Sequence, residues 1–243
     1  HVYERTQQAK RVQGVIVAAD DERIVEVVQA FGGEARMTRR DHPNGTSRIA
    51  EAVADLDAEI IVNVQGDEPE IEPSLIDLAV RTLERHGDCP MATLGSPFAH
   101  GENPADPNIV KVVVDQSGCA LYFSRALIPF DRDGDGRVKP LKHVGLYVYR
   151  REFLPNYVSL PPTPLEQAEK LEQLRVLEHG YKIAVAVGEA HFHDIITPDQ
   201  YEVVKDPSKR NRYGTRTVAR AKPETNFWYR MAPWPAAFEE GMI

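Results

Sequence analysis

The sequence predicts an α/β fold in which a mostly parallel sheet is flanked by helices and followed by a strand-rich subdomain. Apolar runs rich in Val and Ile occur at residues 12–20 and 60–64, and each is followed by a segment with helical spacing. This alternation implies right-handed crossovers between parallel strands, with helices on both faces of the sheet. In such sheets ligands bind beyond the carboxyl ends of the strands.

Four segments show the apolar spacing of amphipathic helices: residues 21–33, 46–56, 73–87 and 164–180. Thr46 or Ser47 is expected to cap the second helix, because short hydroxyl side chains satisfy free N–H groups at a helix start. Pro73 opens the third, at a position where its missing N–H costs no hydrogen bond. The fourth is expected to be a single helix with its leucines on one face.

The region after about residue 91 is richer in strands. Residues 110–124 contain two apolar runs joined through a Ser-Gly turn, which is typical of a hairpin, and residues 181–190 contain a further strand. Periodicity fades after residue 203. We therefore expect one domain over residues 1–203 and an irregular basic tail over residues 204–243, with attraction of the tail to RNA or anionic lipid as the less favoured interpretation.

The composition limits the partners that are expected. The chain has 243 residues and a formal net charge of −8, which argues against a nucleic-acid-binding surface over the whole domain. No apolar run approaches the ~20 residues that span a bilayer, so a membrane partner is not expected. Cys89 and Cys119 lie in no metal-ligand or redox spacing and are expected to be reduced thiols of a cytoplasmic protein.

An acidic turn follows one of the apolar strands in the stretch IIVNVQGDEPEIEP, residues 60–73. Asp67 comes just after the strand and a glycine that permits a tight backbone path. A carboxylate at this position can bind Mg²⁺ through one oxygen, while nucleotide phosphates and water fill the other positions. A solvated acidic turn is the alternative, but carboxylates this close together repel one another unless some of them face water or a cation.

Two other motifs resemble metal sites but lack a ligand. Residues 131–137, DRDGDGR, have acids at the early positions of a calcium-binding EF-hand loop, but Lys142 occupies the position of its closing glutamate. This segment is expected to be a surface loop. His191 and His193 would share a face in an extended segment, but a transition-metal site usually has a third ligand.

Polar and basic residues beside apolar segments are candidates for anion binding. The turn HPNGTSR, residues 42–48, leads into a helix whose first N–H groups attract anions, although a plain helix cap is the simpler explanation. Arg48 is close enough in sequence to reach a phosphate. Arg125 lies within an apolar segment, and His143 lies at the mouth of another. A partly buried arginine needs an anion, either a protein carboxylate or a substrate carboxylate.

Five stretches resemble the 3-deoxy-manno-octulosonate cytidylyltransferase family, the CMP-Kdo synthetases: TRRDHPNGTSRIAE, IIVNVQGDEP, ALYFSRALIPFDRD, KHVGLYVYR and PLEQAEKLEQLRVL. The resemblance extends from His1 to about Glu202. It implies a Rossmann-like nucleotide-diphospho-sugar transferase fold and a reaction in which the anomeric hydroxyl of Kdo attacks the α-phosphate of CTP. Pyrophosphate leaves, and CMP-Kdo is formed for lipopolysaccharide synthesis. The resemblance also implies Mg²⁺ as the cofactor and a homodimer.

The resemblance implies a role for each residue that matches a family position. The catalytic set is Asp67, Gln65 and Arg125. The nucleotide-binding loop contains Asn44, Gly45, Thr46 and Arg48. The Kdo site contains Ser124, His143, Glu172 and Gln173. Asp67 would be a Mg²⁺ ligand, with Asp194 substituting for the family's second one.

Two departures from the family pattern affect the expected activity. Family members begin with a strand and a basic loop of the form PAR-x-x-S-x-R-L-P-x-K, whereas this chain starts after that loop, so residues 1–203 are interpreted as an N-terminally incomplete nucleotidyltransferase domain. Ile196 occupies the position of the family's second metal-binding aspartate. Impaired activity is therefore expected. A cytidylyltransferase for another acidic sugar and an inactive binding protein that retains the fold are the alternatives.

Overall fold

The computed structural model describes residues 1–190 of the chain. Its seven helices are α1 Val2–Gln7, α2 Glu22–Ala30, α3 Gly45–Ala52, α4 Pro73–Arg85, α5 Phe153–Ser159, α6 Pro164–Glu169 and α7 Gln173–Glu178. Its eight strands are β1 Ile16–Ala19, β2 Glu34–Met37, β3 Ile60–Asn63, β4 Met91–Pro97, β5 Lys111–Val114, β6 Ala120–Ser124, β7 Leu141–Arg150 and β8 Ile183–Val187. No helix in this part of the chain has the length and apolarity needed to cross a bilayer. The predictions for His191, His193 and the tail over residues 204–243 fall outside it.

β7 is the central strand of a six-stranded mixed sheet. β4 pairs antiparallel with it along one edge, from Pro97 opposite Leu141 to Met91 opposite Tyr149. β3 and β5 pair antiparallel with opposite ends of β7 and therefore occupy its other edge. β8 runs parallel to β4, and β6 forms the predicted hairpin with β5. β1 and β2 form a separate parallel pair.

The predicted α/β class with flanking helices is confirmed, but the six-stranded sheet is mixed and not mostly parallel as predicted. β3, β4, β5 and β8 share one direction, as expected for strands linked by crossovers. β7 is inserted among them in the opposite direction, so most neighbouring pairs in this sheet are antiparallel. The local period of a strand gives no information about its direction or its neighbours in the sheet, so the insertion of β7 could not be predicted.

Two apolar layers cover the faces of the six-stranded sheet. α4 packs on one face, where Ile76, Ala79 and Leu83 join buried residues of β4, β7 and β8. On the other face, Phe153 of α5 and Leu174 of α7 belong to the second buried cluster. Successive residues of a strand point to opposite faces of the sheet. The even-numbered apolar residues of β7 therefore belong to the layer under α4, and its odd-numbered residues face the layer that contains α5 and α7.

The cap predicted for the second helix is wrong. α3 begins at Gly45, and its N-cap is Asn44 rather than Thr46 or Ser47. The Asn44 Oδ1 accepts a hydrogen bond from the Ser47 N–H at 2.8 Å. Asparagine is as good a cap as serine, and capping at Asn44 lets the helix include Gly45 and Thr46.

The single helix predicted over residues 164–180 is divided into α6 and α7. Lys170 ends α6 in a left-handed conformation, with a φ of 56°. In a continuous helix Glu166 and Arg175 would be separated by about 13 Å along the axis. Here Arg175 donates two hydrogen bonds to the Glu166 carboxylate, at 2.6 and 2.8 Å, because α7 folds back on α6.

The short elements β2 and α5 were not among the predicted segments, since neither shows a clear apolar period. The motif at residues 131–137 forms an exposed loop, as predicted. In this loop the Asp131 carboxylate accepts hydrogen bonds from the N–H groups of Gly134 and Gly136, at 3.0 and 2.8 Å. Asp131 therefore stabilises the turns of the loop itself.

Candidate active site

One face of β7 forms the floor of the candidate site. The residues on this face are the alternate positions His143, Gly145, Tyr147 and Tyr149. Their rings form a continuous row with centroid separations of 5.5 Å between His143 and Tyr147 and 6.2 Å between Tyr147 and Tyr149. Tyr157 of α5 extends the row at 6.4 Å from Tyr149. The floor is therefore aromatic and carries hydroxyl groups at one end.

The acidic turn after β3 rests on this floor at Gly145. A Cβ atom at Gly145 would lie 3.3 Å from Glu68 Oε1 and 3.5 Å from Gln65 Cγ. The absence of a side chain therefore lets the turn approach the strand closely. Asp67 lies between these two contacts in sequence and is half-buried, and burial raises the pKa of its carboxyl group. A carboxylate partly removed from water is stabilised by a cation placed beside it.

Gly145→Ala tests whether this close approach matters. The added methyl group would press on the Glu68 carboxylate, because its 3.3 Å contact with Oε1 is tighter than most packing contacts and requires a shift of a few tenths of an ångström. We expect kcat to fall by less than about 100-fold, because the required shift is smaller than the ~1 Å displacement of a reacting group that can cost that much. Steady-state kinetics and thermal unfolding of the variant would measure activity and stability separately.

Gly14→Ala is the matched control, because a Cβ at Gly14 meets no atom within 4 Å. Its kinetics should equal those of the parent. A Gly145→Ala protein with parental kcat and an unchanged unfolding temperature would contradict the proposed contact.

The start of α3 is joined to the floor by hydroxyl groups. Thr46 Oγ1 lies 3.1 Å from the hydroxyl of Tyr149 and donates to Glu172 Oε2 at 3.2 Å. The Tyr157 hydroxyl donates to the same Glu172 oxygen at 3.3 Å and accepts from Asn44 Nδ2 at 3.5 Å. The carboxylate of Glu172, the N-cap residue of α7, is thereby connected directly to Thr46 and through Tyr157 to Asn44, both in the predicted nucleotide loop.

Gln173 contributes an amide that is only partly satisfied. Its Oε1 accepts a hydrogen bond from the Tyr147 hydroxyl at 3.0 Å. Its Nε2 is buried and has no hydrogen-bond partner within residues 1–190. A buried donor left without a partner costs about 1–3 kcal/mol. Such a group, next to the floor of a site, is a candidate for binding a ligand oxygen.

The protonation of His143 follows from its neighbours. Thr93 Oγ1 donates its single hydrogen to the Leu146 carbonyl at 2.7 Å, so it accepts a hydrogen bond from His143 Nε2–H at 2.8 Å. This assigns the Nε2–H tautomer and leaves Nδ1 as an acceptor. Burial against Phe123 and Tyr147 lowers the pKa of His143 to about 3, so the ring is neutral near pH 7.

Acid should destabilise the protein through His143. The unfolded chain binds a proton near pH 6.5, whereas the folded protein binds it only near pH 3, so the unfolded state carries more protons between these values. This contribution to stability is complete above pH 6.5 and declines as the pH falls, by up to about 1.4 kcal/mol per pH unit. Urea unfolding of the parent and of His143→Gln between pH 4 and 7 measures it. Parallel pH profiles for the two proteins would contradict it.

A family model described as cytidylyltransferase matches residues 1–183 of the chain. The chain belongs to the cytidylyltransferase family. The relatives and the solved structure that it resembles carry more specific names, and the members of this family are nucleotidyltransferase enzymes.

Two relatives named 3-deoxy-manno-octulosonate cytidylyltransferase are similar to this cytidylyltransferase over most of both chains. The protein of Syntrophotalea carbinolica is 50% identical over 206 residues, covering 82% of this chain and 82% of the relative. The protein of Geobacter sulfurreducens is 49% identical over 219 residues, covering 86% and 88%. A solved CMP:2-keto-3-deoxy-manno-octonic acid synthetase complexed with CTP is 42% identical, with a TM-score of 0.81 and 87% of each chain covered.

Three predicted residues of this cytidylyltransferase have protein partners of their own. Arg48 donates to Asp20 Oδ2 at 2.8 Å and to Thr38 Oγ1 at 2.7 Å, so it ties α3 to the β1 end of the domain. Ser124 Oγ donates to Glu169 Oε1 at 2.6 Å. Arg125 Nε donates to the Glu169 carbonyl at 2.8 Å. The hydrogen bonds that Ser124 and Arg125 donate from their side chains thus run to Glu169 at the end of α6 and to the Pro107 carbonyl, and not to His143 or Gln173.

Several site residues of this cytidylyltransferase were not predicted from the sequence: Glu68, Gly145, Tyr147, Tyr149 and Tyr157. The stretch HVGLYVY contains a visible signal for three of them, because His143 and every second residue after it share one face. Tyr157 lies on a helix that was not predicted, and Glu68 looked like one of several acids in a turn. Asp194, predicted as a metal ligand, lies outside the described residues.

Proposed function

We propose that this cytidylyltransferase transfers the cytidylyl group of CTP to Kdo and so forms CMP-Kdo and pyrophosphate for lipopolysaccharide synthesis. The names of its relatives support the substrate pair. The observation that carries the proposal is the floor of β7, which joins three groups of predicted residues. The acidic turn packs against Gly145, the Tyr149 hydroxyl is hydrogen-bonded to Thr46, and the Tyr147 hydroxyl donates to Gln173.

The reaction requires two substrates to meet in line above this floor. The anomeric oxygen of Kdo forms a bond to the α-phosphorus of CTP, the bond from that phosphorus to the bridging oxygen breaks, and pyrophosphate leaves. The hydroxyl proton passes to solvent or to a nearby base. Phosphoryl transfer of this kind depends mainly on positioning and on neutralising charge. We assign the positioning of the reacting groups to the acidic turn with Gln65 and Asp67.

Asp67 is proposed as a ligand of Mg²⁺. It fits a hard divalent cation, because it offers carboxylate oxygens, is half-buried, and has a pKa raised by burial with no cationic partner among the described residues to lower it. Mg²⁺ bound there would neutralise phosphate charge. Asp194 is proposed as the second ligand. The protein's own part is to hold the carboxylate at the floor through the contacts of Gln65 and Glu68 with Gly145.

The Kdo subsite is assigned to residues at the His143 end of the floor. Gln173 Nε2 would donate to a sugar oxygen, and His143 Nδ1 would accept from a sugar hydroxyl. Arg125 remains a candidate for the sugar carboxylate, since its guanidinium donates only to backbone carbonyls and forms no ion pair within the described residues. Ser124 would assist beside it, and Glu172 would orient Thr46 and Tyr157.

The nucleotide subsite is assigned to the turn that opens α3. Asn44, Gly45 and Thr46 lie at the start of this helix, where free N–H groups favour anions or the polar edge of a base. Arg48 is proposed to act on this subsite by holding α3 through its ion pair with Asp20. A cytoplasmic homodimer is the proposed state of the protein, and light scattering would test the dimer.

The proposal is tested with purified protein, CTP, Kdo and Mg²⁺ by measuring pyrophosphate release, with sialic acid as the competing sugar acid. We expect turnover that requires both Kdo and the divalent cation, and a much lower rate with sialic acid. Calorimetry with CTP and Mg²⁺ separates an impaired enzyme, which still binds, from an inactive fold. A protein that neither binds CTP nor releases pyrophosphate would overturn the assignment.

A further inference from the structure

Three side chains with metal-binding atoms lie close together at the end of the sheet opposite to the acidic turn. His86 follows α4, Cys89 precedes β4, and Cys119 ends the turn before β6. The two sulfur atoms lie 3.6 Å apart, and Cys119 Sγ lies 3.9 Å from His86 Nδ1. The three ligand atoms all lie within 4.8 Å of one another. The two cysteines are far apart in the sequence, which therefore predicts two unconnected thiols and not this cluster.

The spacing of these atoms matches a tetrahedral thiolate site. Zinc bound by two cysteine sulfurs at about 2.3 Å in tetrahedral geometry separates them by about 3.8 Å. The observed 3.6 Å is close to that value, and it greatly exceeds the length of a disulfide bond. The free cysteines are both buried, whereas His86 is partly exposed and offers a route for an ion. Soft sulfur donors with one imidazole favour zinc over magnesium or calcium.

The backbone that carries the cluster is held in place by other contacts. Arg150 of β7 donates hydrogen bonds to the carbonyls of Leu83, His86 and Cys89, at 3.1, 3.3 and 3.1 Å. The turn before β6 is closed by the Cys119 N–H, which donates to Asp115 Oδ1 at 2.9 Å. The ligand atoms therefore converge through two loops with fixed conformations, which lowers the ordering cost of binding an ion.

The cluster is separate from the candidate active site. Its residues lie where β4 and β8 begin, with Met91 opposite Ile183, and near Arg150 at the end of β7. The acidic turn lies where β3 ends, beside Gly145 in the middle of β7. Since β3, β4 and β8 run in the same direction, the cluster where β4 and β8 begin and the turn where β3 ends lie at opposite ends of the strands.

We propose that His86, Cys89 and Cys119 form a structural zinc site that fastens the end of α4 to the β5–β6 hairpin. Each thiol releases its proton to solvent as its bond to the metal forms, and the imidazole binds through Nδ1. The fourth position is open to water or to Asp88, whose Oδ1 lies 3.9 Å from Cys89 Sγ and whose Oδ2 accepts from Lys182. This role is independent of the cytidylyl transfer reaction.

Cobalt substitution tests the site directly. The reduced full chain is titrated with Co²⁺ under anaerobic conditions, and we expect one equivalent to give thiolate-to-cobalt charge-transfer absorption and tetrahedral d–d bands. One equivalent of Zn²⁺ should remove these bands. Cys119→Ser and Cys89→Ser should each weaken metal binding by at least roughly 100-fold, since even the loss of a residue that only hydrogen-bonds to a metal ligand costs 10–100-fold.

The controls separate ligation from loss of structure. His100→Asn, at an exposed histidine outside the cluster, should titrate like the parent, whereas His86→Asn should bind more weakly. Circular dichroism of each variant checks that it folds. Zinc should raise the unfolding temperature of the parent and not that of Cys119→Ser. Absence of the charge-transfer band in the folded, reduced parent, or its persistence in both cysteine variants, would overturn the site.

Discussion

Asp67→Asn is expected to lower kcat for cytidylyl transfer by about 10²–10³, the range found when one preorganised charge-stabilising group is lost. The substitution keeps the shape of the side chain but removes the negative charge that the proposed metal site needs. Asp67 is half-buried and its pKa is raised by burial, so an amide of equal size should not disturb the packing of the turn. Pyrophosphate release at saturating CTP and Kdo, followed over a range of Mg²⁺ concentrations, measures the effect.

Two features distinguish a metal role for Asp67 from a general effect of charge. The Mg²⁺ concentration for half-maximal activity should rise in Asp67→Asn, and the unfolding temperature should not fall. Asp133→Asn, in the exposed loop over residues 131–137, removes an equal charge and should leave both the rate and the Mg²⁺ dependence unchanged. Equal Mg²⁺ dependence in Asp67→Asn and the parent would exclude Asp67 as a ligand.

The elements that sequence reasoning predicted are those with local signals. α2 and α4 have amphipathic spacing and recognisable starts at Asp21 and Pro73, and β3 is an apolar run ended by a turn. The position of β7 depends on pairing with strands far away in the chain, so no local pattern specifies it. The break at Lys170 depends on an ion pair between residues nine positions apart, which is visible only after folding.

The residues of the candidate site also fall into those with a local signal in the sequence and those without one. Asp67 could be predicted because a buried strand, a glycine and an acid are adjacent in sequence. Glu172 and Gln173 were indicated only by the family resemblance, since their helix seemed continuous. The aromatic floor follows from the two-residue period of β7 and was overlooked, although the pattern from His143 to Tyr149 was available. The cysteine cluster requires the tertiary fold to bring α4 and the hairpin together.

Arg175→Met is expected to destabilise the folded protein by about 3–5 kcal/mol, the usual cost of removing one partner from a buried ion pair. Glu166 and Arg175 are buried, with relative exposures of 9% and 8%, and they form two parallel hydrogen bonds at 2.6 and 2.8 Å. Without Arg175 the Glu166 carboxylate would lack its charged partner, and Tyr157 would lose the guanidinium that stacks 5.3 Å from its ring centroid. The midpoint and slope of urea unfolding give the free energy of unfolding.

Comparison with a double variant isolates the unpaired charge as the cause. Glu166→Gln combined with Arg175→Met removes both charges, so it should lose less stability than Arg175→Met alone, because no buried ion is left without a partner. Glu84→Gln breaks the half-exposed pair with Arg11 and should cost at most about 1 kcal/mol. A double variant as unstable as Arg175→Met would mean that lost packing, and not charge, holds α7 against α6. Gln173 is the first residue of α7, and Glu172 precedes it. Because both residues are assigned to the Kdo subsite, a displaced α7 should also raise the KM for Kdo in Arg175→Met, at temperatures where the variant remains folded.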